Sequence, residues 1–174
     1  MRYLNKIIFI QSAHINYTEI RLDGNVHFIG DQGVGKSTVL RAVLFFYNAD
    51  TQKLGISTAS NKDQFQEYYF KHTNSHIIYE VVSNEAKFLV WLYKEHGRLC
   101  YRFIESPYEQ SFFMTEATKG YQSLTPDNVI KRIRSESYCY LNTICTIIFL
   151  KQLVIFFSML NYNQVPSKQL LLIP

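Results

Sequence analysis

Acidic residues vanish from the end of this chain: from Ser137 to Pro174 there is no Asp or Glu, and Lys151 and Lys168 are the only cations. Cysteine is also scarce. The three, Cys100, Cys139 and Cys145, are odd in number and form no C-x-x-C pair, which argues against a disulfide framework or a zinc site and fits a reducing, cytoplasmic setting. Tryptophan occurs once and proline four times. The apolar run Ile7–Ile10 near the start is too short for the core of a signal peptide. No strand ends in Asp-Glu, no heptad pattern runs along the chain, and no nucleophile-elbow motif is present, so a visible catalytic base, a coiled coil and an α/β-hydrolase triad are all wanting. Nor is the chain poor in core-forming residues. With 47% hydrophobic and 16% aromatic residues in 174, it has enough apolar material for one folded domain rather than a disordered one. The net charge of +4 is mildly basic and names no partner.

Glycine is the other scarce residue, at seven, and three of those fall within six positions. Gly30-Asp31-Gln32-Gly33-Val34-Gly35-Lys36-Ser37 fits G-x-x-x-x-G-K-[ST], the phosphate-binding P-loop. Asn25–Ile29 before it reads as a short buried strand, and Thr38–Tyr47 after it as a helix. The chemistry explains the spacing. A triphosphate needs backbone N–H groups directed inward along a tight curve, which glycines at 30, 33 and 35 permit. The helix start supplies unpaired N–H groups and partial positive charge. Lys36 is placed to reach the β and γ phosphates, Ser37 to ligate Mg²⁺, and Thr38 to add a hydrogen bond. The nucleotide-binding set is therefore Gly30, Asp31, Gln32, Gly33, Val34, Gly35, Lys36, Ser37 and Thr38, with Ser37 the metal ligand and no residue assigned to catalysis.

The surrounding pattern predicts strands over 4–10 and 17–22, linked by polar Gln11–Asn16, with a turn at Asp23-Gly24. The helix after the loop is expected to bury Val39, Leu40, Val43, Leu44 and Tyr47 and to stop at Asn48. Residues 49–64 read as a polar loop, and Phe65, Tyr68, Tyr69 and Phe70 as an aromatic flap. Strands over 76–82, 87–93 and 98–104, joined by short polar loops, predict an antiparallel meander, extended by a short strand near Phe112–Met114. Thr125 and Pro126 open a further helix, with Lys131, Arg132 and Arg134 near its end. His14 and His27 read as packing or local hydrogen-bonding residues, His72 and His76 as a surface pair. Glu80, Glu95 and Glu105 read as solvent-facing or turn carboxylates.

This order of features resembles the first half of an ABC-type ATPase head. Within that class, Phe28–Ala42 is similar to the phosphate loop and first helix of the structural-maintenance-of-chromosomes (SMC) group, with its MukB-like, Wadjet-like condensin, RecF and RecN relatives. The fold expected is α/β: a P-loop NTPase, lobe I of an ABC-ATPase head, with an antiparallel β meander beside the P-loop strand and helix. Residues 1–136 form the ATP-binding half-head in this reading. The resemblance implies ATP and Mg²⁺ as ligands, a second half-head carrying the signature motif and Walker B, a dimer of heads, and indirect action on DNA. It also sets Gln11–Asn16 near the adenine.

The departures are large. No signature motif, Walker B or glutamine loop can be placed, so hydrolysis is expected only with the missing half and a partner head. Residues 137–174 are an apolar tail. Its strongly apolar positions gain ~6 kcal/mol on an insertion scale, while Lys151 costs ~3. That sum is marginal for a membrane span; a buried strand pair or helix stands equal to it, and a truncation or shifted reading frame accounts slightly better for the loss of acidic residues. Two other readings stay open. One is a self-contained small P-loop kinase or GTPase, which would need a parallel sheet and an acidic strand in the same chain; Asn61-Lys62-Asp63 lacks the spacer of a guanine-reading motif. The other is a membrane-tethered nucleotide-binding module.

Overall fold

Alternating apolar residues make two-sided strands here, and both sides are covered. In the computed structural model, which describes residues 2–47, 65–83, 86–118, 120–136 and 140–145, β1 (Arg2–Ser12) turns back into β2 (Ile15–Arg21). β3 (His76–Ser83), β4 (Ala86–Glu95) and β5 (Arg98–Ile104) form an antiparallel meander. β3 pairs with β1, and β8 (Tyr140–Cys145), within the segment read as a tail, pairs with β5. The six-stranded sheet runs β2-β1-β3-β4-β5-β8, with every ladder antiparallel.

The period-2 alternation assigns each side chain to one of two cores. Ile7, Phe9, Ile77, Tyr79, Val90, Leu92 and Tyr101 face α1 (Lys36–Tyr47) and α2 (Phe65–Tyr69). Ile8, Ile10, Ile78, Leu89, Trp91 and Tyr93 face α3 (Gln110–Phe113) and α4 (Pro126–Ser135). The short strand expected near Phe112 is instead the end of α3, and the strand begins one residue later. There β6 (Met114–Ala117) and β7 (Gly120–Ser123) pair as a separate hairpin. Burial is near complete at the sheet centre, where Trp91 and Tyr79 are enclosed. Each large apolar side chain so enclosed contributes roughly 1.5–3 kcal/mol.

Several expectations are corrected. Asn25–Ile29 belongs to no strand: it joins no ladder among the described residues, and Ile29 is 91% exposed. α1 buries Thr38, Val39, Ala42, Phe45 and Phe46, leaving Leu40, Leu44 and Tyr47 outside. The helix is apolar nearly all round, and the two phenylalanines, stacked on Phe65 and tilted against Tyr79, decide which side meets the sheet. Glu80 is not solvent-facing but 1% exposed. Its carboxylate accepts from Asn5 Nδ2 at 2.5 Å and from the Tyr108 backbone N–H at 2.7 Å, with Lys87 Nζ at 3.8 Å, so it ties β1 and the segment after β5 to β3. His76 is no surface residue either, being fully buried between Trp91 and Leu124. His27 is exposed rather than packed. Thr125 precedes α4 with extended backbone and Pro126 follows it, but the Thr125 side chain makes no capping bond; its carbonyl accepts from Asn128 and Val129 N–H, each at 3.0 Å. Arg132 donates to the carbonyls of Ser111 and Met114, holding α4 to α3 and β6. Asn48, the 49–64 loop with Asn61-Lys62-Asp63, and the tail from 146 onward lie outside the described residues.

Candidate functional site

The glycine loop sits where β2 has left the sheet and α1 begins. Leu22 N–H donates to Asn5 O at 2.7 Å as the chain exits β2. The chain then runs to Gly30 outside any strand ladder, and α1 takes over with Val39 N–H bonded to Gly35 O at 3.1 Å. Gly33 at φ +90° and Gly35 at φ +96° are left-handed, a conformation that favours glycine over residues with a Cβ. Such torsions turn successive N–H groups to one side, and the helix start adds its own unpaired donors. No acidic residue occupies the first turn of α1 to neutralise them.

Lys36 folds back over this loop. Its Nζ donates to the carbonyls of Gly30 at 2.5 Å and Asp31 at 2.7 Å. The ammonium has three donors and two are used, so one remains for a further acceptor. A cavity of about 470 Å³ opens beside it, lined by Gln32, Gly33, Gly35, Lys36, Ser37 and Thr38 from the motif, and by His14 and Tyr68 from outside it. The volume lies within the range of small-molecule sites. Gly30, Asp31 and Val34 complete the loop without lining the cavity. The polar groups around it are backbone N–H groups, the Lys36 ammonium, the three hydroxyls of Ser37, Thr38 and Tyr68, the Gln32 amide and the His14 imidazole. This set could hold an anionic ligand such as a phosphate, and the Ser37 hydroxyl could serve a hard divalent cation.

His14 and Tyr68 lie outside the residues that the motif assigns to the site. His14 stands in the two-residue turn between β1 and β2, where Ser12 pairs with Ile15 and Ala13 is left-handed at φ +56°. The turn holds this strained shape because Ala13 N–H and Ser12 Oγ both donate to Tyr69 O, at 3.1 and 3.0 Å, and Ser75 Oγ donates to Gln11 O. His14 is thereby pressed on the loop: a Cβ added at Gly35 would lie 2.9 Å from its Nε2. Tyr68 comes from α2, its phenol 2.9 Å from Thr38 Oγ1. Its neighbour Tyr69 donates to Thr38 O at 2.6 Å, and burial holds the Tyr69 phenol protonated well above the usual tyrosine range. The resemblance sets the segment Gln11–Asn16 near the site without singling out a residue in it. The two-residue turn, shorter than the six-residue link expected, is what brings His14 to the loop. Nothing local in the sequence marks Tyr68, because its approach depends on α2 docking across α1.

Gly35→Ala is expected to strain the backbone and strike His14 together, weakening any ligand of the loop by about tenfold or more. Calorimetric titration with Mg-ATP alongside a melting curve checks this, and unaltered affinity would contradict it.

The family model for a protein of unknown function, DUF3584, matches residues 12–143. The match takes in the β1–β2 turn, the glycine loop, both sheet faces and most of β8, and the chain belongs to this family. No curated protein and no solved structure matches the chain. Among the described residues, no helix is long and apolar enough to cross a membrane, and no group of three or more His, Cys, Asp or Glu is arranged to hold a metal.

Proposed function

We propose that this chain is the ATP-binding half-head of an SMC-like ATPase that acts on DNA, its P-loop being Gly30–Ser37. The observation that carries the reading is the loop itself: left-handed Gly33 and Gly35, Lys36 drawn across the loop carbonyls, and a 470 Å³ cavity at the start of α1. Backbone N–H groups 33–37 cradle the phosphates, Lys36 meets the β and γ oxygens, and Ser37 holds Mg²⁺. His14, inside the Gln11–Asn16 segment, is on the nucleoside side.

The uncovered surface supports a second half-head as partner. Ile29, Leu40, Leu44 and Tyr47 are exposed on and beside α1, at 91%, 49%, 45% and 61%. Asn25–Ile29 carries apolar side chains yet joins no ladder among the described residues. An apolar helix face beside an unpaired strand-like segment suits burial by further strands. A self-contained kinase or GTPase is less well supported, since it calls for parallel strands beside the P-loop and every described ladder of the large sheet is antiparallel. With no carboxylate among the described cavity residues to orient an attacking water, cleavage falls to the partner's contribution in this reading.

The purified chain is expected to bind Mg-ATP and to show negligible turnover. Calorimetry and a phosphate-release assay on the same sample test both parts. Rapid hydrolysis by the chain alone would contradict the division of labour, and absence of binding would remove the reading.

A further inference from the structure

We propose that Tyr68 is itself a ligand of the nucleotide, acting with Thr38 as a two-hydroxyl unit. This rests on the nucleotide reading above and adds a contact from outside the motif. Tyr68 lines the same cavity as Lys36, Ser37 and Thr38, and its phenol oxygen is 2.9 Å from Thr38 Oγ1. Two hydroxyls joined by one hydrogen bond commit one of their two protons to it. The other O–H is left to donate to an acceptor in the cavity, and phosphate and ribose oxygens are such acceptors.

The phenol is also held in place. Tyr69, next in sequence, is bonded through its side chain to Thr38 O and through its carbonyl to Ser12 and Ala13. Phe65 stacks on Phe45 with centroids 3.9 Å apart. α2 is therefore fastened both to the start of α1 and to the turn bearing His14, so Tyr68 is pre-positioned and a ligand need not order it. Lys71 Nζ lies 5.8 Å from the Tyr68 ring centroid, placing a cation beside this wall, which favours an anionic ligand. A tyrosine serving only to brace α2 would have the same bond to Thr38 but no effect on affinity when its hydroxyl is removed.

Mg-ATP affinity is measured by calorimetry for the full chain and for Tyr68→Phe, Thr38→Val and the double variant, at a temperature well below the melting transition that Trp91 emission reports. Tyr68→Phe keeps the ring and its packing. Each single variant is expected to weaken Mg-ATP by about tenfold, the cost of one hydrogen bond to a charged acceptor. The double variant is expected to stay near the Thr38→Val value, because the two hydroxyls act as one unit. Tyr68→Phe affinity within about twofold of the parent, with Lys36→Ala abolishing binding, would overturn the inference and leave the nucleotide reading intact. Fully additive losses in the double variant would overturn the two-hydroxyl unit. A parent chain with no affinity for Mg-ATP removes the nucleotide reading itself, before any variant is compared.

Discussion

Replacing Lys36 by Ala is expected to reduce Mg-ATP affinity by more than about a hundredfold while leaving the fold in place. Among the described residues, the Lys36 ammonium is the one Lys or Arg cation lining the cavity, and it is the donor that spans the loop to Gly30 and Asp31. Its removal takes away the charge that balances the phosphates and frees the two carbonyls it holds. Those carbonyls belong to exposed residues and can turn to water, so unfolding free energy should change by less than ~1 kcal/mol. Lys36→Arg should not restore binding, because a planar guanidinium cannot follow the ammonium's path inside a tight loop. Calorimetry on the three proteins, with denaturant melts run in parallel, checks the prediction. Equal affinities would mean that the lysine serves the loop alone.

The second large effect lies on the opposite face of the sheet and reads out through the chain's single tryptophan. His76 Nε2 is 2.7 Å from Leu124 O, which can only accept, so Nε2 carries the proton. Nδ1 then accepts from Trp91 Nε1–H at 3.0 Å. Both ring nitrogens are satisfied only in this neutral form; a proton on Nδ1 would face the indole N–H. Burial pushes His76 down from 6.5 to about 4, partly opposed by the bond to Leu124. The unfolded chain therefore binds this proton more tightly than the folded one. The stabilisation is complete above the unfolded value and is lost as pH falls from 6.5 toward 4. The loss is on the order of 3 kcal/mol, a large share of a domain's total stability. Urea unfolding followed by Trp91 emission at several pH values, compared with His76→Phe, isolates the contribution. The variant should start less stable, with Leu124 O and Trp91 Nε1 unpaired, but its decline between pH 6.5 and 4 should be shallower by about one proton. Parallel declines would show that His76 does not take part.

What the sequence discloses follows the range of the interactions involved. β5 falls on the expected residues and β3 and β4 within a few, because alternation and short polar loops are local signals. α4 begins at Pro126 for the same reason. The glycine loop is legible because its torsions need particular residues at fixed spacing. The burial of α1 is not: with apolar residues on all sides, its sheet-facing side is settled by Phe45 and Phe46 meeting Phe65 and Tyr79, from elements distant in sequence. Glu80 and His76 look like surface polar residues until their partners, Tyr108 and Trp91, arrive through tertiary packing. Asn25–Ile29 has the composition of a strand, but a strand also needs a neighbour, and no described strand pairs with it. His14 and Tyr68 reach the loop only because α2 grips both the β1–β2 turn and Thr38.

Backbone amide resonances of Gly33, Val34, Gly35, Lys36 and Ser37, followed by NMR during a titration with Mg-ATP, test the central claim most directly. These N–H groups are expected to shift strongly and together as they bond to phosphate oxygens, with smaller changes at His14 and Tyr68 and none at Trp91 across the sheet. Resonances in the loop that stay fixed at saturating nucleotide would contradict the account.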